Sequence, residues 1–119
     1  MPGYMRVHNA SRDADLAARA TVADTFWPRL RGLLGRTELE QGEGLVIVPC
    51  SSIHMLGMTF ALDVLHLHRD GTVLKALSNI KPGQLGPMVW RSHLAVELPA
   101  GTIAATGTVQ GDRITLEPA

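Results

Sequence analysis

Cysteine is nearly absent from this chain of 119 residues: Cys50 stands alone. It excludes an internal disulfide and a cysteine-rich zinc site. Aromatic side chains make up only 4%, so a core must be built from Leu, Val, Ile, Ala and Met. No charge of one sign prevails, because 11 Lys and Arg balance 11 Asp and Glu. The basic field that nucleic-acid binding requires is missing, so no nucleic acid is expected as a partner. Zero net charge leaves little self-repulsion and permits a homo-oligomer. No apolar run approaches the roughly 20 residues that cross a bilayer. The segment Met1 to Ala20 has no basic stretch followed by an apolar one, unlike a secretory signal. The expectation is a soluble, cytoplasmic protein with no membrane partner.

What is present is a 45% hydrophobic chain cut by 12 Gly and 7 Pro. Such punctuation favours many short strands over long helices. With no repeat and no dividing linker, residues 1–119 read as one domain with a core over about 16–117. A chain of this size buries roughly two thirds of its unfolded surface, enough for a core without staples. Strands are expected at Tyr4 to Val7, Leu16 to Ala23, Leu45 to Val48, Leu94 to Leu98 and Arg113 to Glu117, with a turn at Asp13-Ala14-Asp15. Leu45 to Val48, all apolar and stopped by Pro49, reads as a central strand. Pro99 to Thr106 reads as a helical or wide turn.

One principal helix is expected at Thr25 to Leu34. Phe26, Leu30, Leu33 and Leu34 follow the spacing of one buried face, with Asp24 or Thr25 as cap and Gly35 as terminator. Phe60 to Arg69 and Thr72 to Asn79 flank Asp70-Gly71, a strong hairpin signal. A two-residue turn would pair Leu67 with Leu74, Leu65 with Ala76 and Asp63 with Ser78. Leu65, Leu67, Leu74 and Ala76 would face the core, while His66, His68 and Lys75 would be solvated. The class is therefore α+β and β-rich.

The chemically varied stretch is the loop from Cys50 to Thr59. A buried strand ending at Pro49 delivers Cys50 to a sheet edge, and the loop must return to a strand near Phe60. Cys50, His54, Asp63 and Arg36 are expected to border one polar recess, with Met58 and Trp90 as apolar walls. A carboxylate among Leu62, Val64 and Leu65 needs a partner if buried. Ser78, a loop N–H, His54 or Arg36 could each serve.

Cys50, His54 and Asp63 could supply a thiol, a base and an orienting carboxylate, although a lone cysteine is more often a small buried hydrophobe. Cys50, His54, Met55, Met58 and Met88 are soft donors suited to copper(I), but no ligand spacing recurs, and methionines commonly fill irregular cores. No metal and no cofactor are expected. Arg29, Arg31 and Arg36 could hold an anion, or form a solvated helix face. There is no dinucleotide fingerprint, phosphate loop or nucleophile elbow.

Four stretches carry a resemblance: Arg31-Gly32-Leu33-Leu34 with Arg36 and Leu39; Gly44-Leu45; Ile53 to Thr59 leading to Leu62-Asp63-Val64; and Leu98-Pro99-Ala100-Gly101 with Gly111-Asp112. Together the chain resembles domain-of-unknown-function family 192. Many members look like Trp-Met-Lys-Asn-Thr where this chain has His54-Met55-Leu56-Gly57-Met58-Thr59, so the tryptophan is replaced and the lysine and asparagine are absent. The resemblance implies a curled antiparallel or mixed sheet, or partial barrel, with a helix packed on it. It also implies that the Arg36 region and the 54–63 loop lie near one another, and it supplies no reaction. The leading expectation is a non-catalytic accessory module that binds a small molecule or peptide. The alternatives are a hydrolase- or transferase-like enzyme using Cys50 or His54, and a structural partner in a larger assembly.

Overall fold

The computed structural model describes residues 4–23, 38–50, 60–84 and 86–119. The described residues form β1 (Met5–Asn9), β2 (Ala14–Ala23), β3 (Glu43–Ile47), β4 (Leu62–Leu67), β5 (Val73–Ile80), β6 (Leu94–Pro99), a short helix α1 (Thr102–Thr106) and β7 (Ile114–Pro118). They build one sheet in the order β5-β4-β6-β3-β2-β1-β7. Neighbours are antiparallel except β2 and β3, which run parallel. A parallel pair needs a crossover connection, and residues 24–42 supply it. The helix expected at 25–34 falls in that connection and lies outside the described residues.

The sheet curls until its two edges meet at one end. Thr72 bridges Arg113. Val73 N–H donates to the Asp112 carbonyl at 2.8 Å and Ile114 N–H to the Gly71 carbonyl at 2.9 Å. The result is a mixed-sheet half-barrel. A side chain at Gly71 would collide with the Ile114 carbonyl, so this edge contact requires glycine there. Gly44 answers a second close approach. A Cβ there would stand 3.2 Å from the Ala17 Cβ and 3.3 Å from the Glu97 carbonyl.

Strand alternation sends side chains to two faces, and both faces of the central strands are covered. The inner face holds Val7, Leu16, Val46, Leu65, Leu67, Val96 and Leu98. The outer face holds Leu45, Ile47, Leu62, Val64 and Ala95, with Cys50, Phe60 and Leu77 packed against them. No helix among the described residues is long and apolar enough to cross a membrane.

The hairpin forms where expected, with the expected Leu65–Ala76 pairing. Its turn differs. His68 N–H donates to the Thr72 carbonyl and Gly71 N–H to the His68 carbonyl, both at 2.9 Å. The loop therefore has three residues, Arg69 to Gly71, and only Gly71 has positive φ (92°). A three-residue loop of this kind carries a bulge, and the register shifts so that Leu67 pairs with Val73. Val73 enters the inner core, and Leu74 is only half-buried. A second bulge places both Ser78 and Asn79 opposite Asp63, with Asn79 at φ 55°. His66, expected in solvent, is 0% exposed, because β4 is an interior strand covered on both sides.

Candidate functional site

Asp63 sits on the inner side of β4, fully buried. Oδ1 accepts the N–H of Asn79 at 2.8 Å, the amide that the bulge frees from the ladder. Oδ2 accepts the N–H groups of Gly101 at 3.1 Å and Ile103 at 2.8 Å. The burial penalty of the carboxylate is thus met by three backbone donors. Asp63 ties β4, the β5 bulge and the start of α1 together.

Cys50 is half-buried and packs on the outer cluster, the opposite side of the sheet from the Asp63 carboxylate. Trp90 is 83% exposed. The described members of the expected recess are therefore not gathered: Asp63 and Cys50 face opposite ways, and Trp90 walls no enclosed space. Arg36, His54 and Met58 lie outside the described residues.

The outer face instead carries a pair that the sequence reading did not single out. Glu97 on β6 lies opposite Val64 on one side and Leu45 on the other. It is 7% exposed and has no hydrogen-bond or ionic partner among the described residues. Burial among apolar neighbours pushes its pKa up to about 7, since desolvation disfavours the charged form. His66 pairs with Ala95, two residues from Glu97 on the same face. Such diagonal neighbours stand roughly 7–8 Å apart, within reach of one small group.

His66 is held by a hydrogen-bond relay. The Ser92 hydroxyl lies 2.6 Å from the Cys50 carbonyl and 3.2 Å from that of Leu94. Carbonyls only accept, so the single hydroxyl proton is committed to them. His66 Nδ1, 3.0 Å from the same oxygen, must then be the donor. Burial lowers the His66 pKa and favours the neutral ring. A neutral ring protonated at Nδ1 presents a lone pair at Nε2, and that atom is buried with no partner. The site is thus an oriented acceptor beside an unpaired carboxyl, framed by Val64, Leu45 and Ala95.

Other buried polar groups among the described residues have partners, Asp112 the most of them. Asp112 accepts from Arg12 Nε at 2.8 Å, Asn9 Nδ2 at 3.0 Å and Val109 N–H at 3.1 Å. The hydrogen bonds from Arg12 and Asn9 hold its pKa at about 2. A cleft of about 390 Å³ opens between β2 and α1, lined by Leu16, Gly42, Pro99 and Thr102 among others. Its one ionisable group, Asp15, is paired with Arg6 and His8. No group of three or more His, Cys, Asp or Glu side chains able to hold a metal occurs among the described residues.

Comparison with known proteins bears first on the fold. The family model of DUF192, described as Uncharacterized ACR, matches residues 7–116. A structure of a protein of unknown function from Novosphingobium aromaticivorans superposes with TM-score 0.81 at 24% identity, covering 94% of this chain and 83% of that one. A Sinorhizobium meliloti structure, titled a "putative transcription regulator", superposes with TM-score 0.78 at 25% identity, covering 98% and 97% of the two chains. No curated protein matches the chain.

Proposed function

The chain belongs to the DUF192 family, whose description names no activity, and we propose that it is a non-catalytic accessory module binding a small molecule or extended peptide through Glu97 and His66. The observation that carries this reading is the burial of both side chains on one apolar face, with His66 Nε2 fully buried and without a partner. Unpaired buried polar atoms cost roughly 1–3 kcal/mol each. A fold that needed only stability would place apolar side chains there. The hydrogen-bond direction at Ser92 supports binding over catalysis. A serine nucleophile donates to its histidine base, whereas here the histidine donates to the serine.

The test is a thermal-stabilisation screen of the purified protein against a library of metabolites and short peptides. A ligand raises the melting temperature by mass action. The expected hit loses its shift in both Glu97→Leu and His66→Leu. Hits whose shifts survive both substitutions place binding elsewhere and overturn the reading.

A further inference from the structure

We infer that the group taken by this pair is a neutral amide, a carboxamide or a peptide-backbone unit, its N–H donating to His66 Nε2 and its C=O accepting from the Glu97 carboxyl. The inference rests on the proposed binding role of this face and specifies the ligand's chemistry. The Ser92 relay fixes Nε2 as an acceptor, so the ligand must bring a donor there. The carboxyl has no cation to pair with among the described residues and is surrounded by Leu45, Val64 and Ala95. An ionised carboxylate in that setting is costly, so the resting form is the acid, which donates one hydrogen bond. One acceptor and one donor roughly 7–8 Å apart can be bridged by an amide, whose N–H and C=O stand on one small planar group. A cation would have to strip the proton from Glu97 and bury an ion pair, whose desolvation offsets its attraction. An anion would meet a lone pair at Nε2 and be repelled.

The other titratable and charged groups on this side are Lys75, exposed on β5 and paired across the ladder with His66, Arg19, exposed on β2 and paired likewise with Glu43, and Glu43 and Cys50 themselves. Glu43, on the outer face of β3, accepts the Glu40 N–H through Oε1 at 2.9 Å. Cys50 packs on the outer cluster beside Leu62 and Val64. Burial lowers the His66 pKa and so favours its neutral ring. Glu97 is then the group whose proton governs binding near neutrality.

The experiment follows the imidazole nitrogens of His66 by NMR in the full-length protein during titration with acetamide, N-methylacetamide and methylguanidinium. The two amides should move the Nε2 resonance and saturate. With one required proton leaving near 7, their affinity should fall about tenfold from pH 6 to pH 8. Glu97→Gln supplies an amide N–H where the acid stood. It should keep acetamide binding and make it independent of pH, while Glu97→Leu abolishes it. Methylguanidinium binding that tightens with pH and vanishes in Glu97→Gln would overturn the amide inference while leaving a binding site at this face. So would a library hit that needs Glu97 and His66 when neither amide shifts Nε2. If no probe moves Nε2 and every library hit survives Glu97→Leu, the binding reading and the inference fall together.

Discussion

The Oδ2 atom of Asp63 lies 2.8 Å from the backbone nitrogen of Ile103, 40 residues further along the chain. A helix start leaves N–H groups without partners, and here a carboxylate from a strand supplies the acceptor. The same side chain holds Asn79 through Oδ1. Asp63→Asn turns one accepting oxygen into a donor facing N–H groups that also donate. It should cost about 2–3 kcal/mol, at the upper end for a charged hydrogen-bond centre. Urea unfolding measures this, and amide exchange should show Ile103 and Asn79 losing protection. A loss below about 0.5 kcal/mol, the ordinary scatter of surface substitutions, would contradict the linking role.

Glu97 makes stability depend on pH with a definite sign. Its folded pKa of about 7 lies above the ordinary glutamate value of 4.5. The folded protein holds this proton more tightly, so the contribution is complete below pH 4.5 and is lost as pH rises through about 7. Glu97→Leu removes the titration. The stability difference between variant and wild type should shift in favour of the variant by about 2–3 kcal/mol between pH 5 and pH 8, at 1.36 kcal/mol per unit. Chemical denaturation at both pH values reads this directly. A difference that stays constant would mean that Glu97 is not buried as the acid.

Most strands were legible because short apolar runs ended at Gly, Pro or Asp, and Leu45 to Val48 announced an interior strand. The outer pair was not legible. Alternation shows that His66 and Val64 share a face, but not that the face is covered. Coverage follows from what packs over the sheet, where Leu39, Cys50 and Phe60 join the outer cluster from outside the strands. Leu94 to Leu98 showed Glu97 opposite in face to Val96, and a charged residue on a strand reads as solvent-facing until both neighbours are known. Asp63 was legible as a carboxylate needing a partner, and a backbone N–H was among those expected. That the donors are Gly101 and Ile103 depends on contacts far apart in sequence. The hairpin was half legible, since Asp-Gly fixes the place of a turn and the edge contact of Gly71 with Ile114 selects its length.

That edge contact gives a third expectation. Gly71 has φ 92°, and a Cβ would meet the Ile114 carbonyl. Gly71→Ala should therefore combine backbone strain of order 1–3 kcal/mol with loss of the hydrogen bond from Ile114. Gly83, with φ 84° and open space around it, is the control. Gly83→Ala should cost about 1 kcal/mol, the left-handed backbone penalty alone. Equal melting temperatures for the two variants would show that closure of the sheet edges contributes nothing.

Asp112 predicts the acid limb of the stability curve. Hydrogen bonds from Arg12 and Asn9 hold its pKa at about 2, below the ordinary aspartate value of 3.8. Its contribution is present above pH 3.8 and is lost as pH falls towards 2. Arg12 is 43% exposed, so screening reduces the ion-pair part, and about 1–2 kcal/mol should disappear over that window. Asp112→Asn should flatten it. An acid transition of unchanged size in the variant would assign the loss to other carboxylates.

Ser92 offers the sharpest test of the relay that orients the candidate site. Its hydroxyl donates to the Cys50 carbonyl at 2.6 Å and accepts from His66 Nδ1 at 3.0 Å. Ser92→Ala removes both bonds at once and leaves two groups in want of partners, at a cost of about 1–3 kcal/mol. Stability alone cannot separate orientation from packing. The tautomer can. Without its acceptor, Nδ1–H loses the advantage that kept the proton there, and the neutral ring should shift towards the Nε2–H form that imidazoles otherwise favour. Nitrogen-15 shifts of the two ring atoms report that change. Ser92→Thr keeps the hydroxyl and should keep the Nδ1–H form. If the tautomer is unchanged in Ser92→Ala, the lone pair at Nε2 is set by something other than Ser92, and the acceptor assigned to the outer face loses its structural basis.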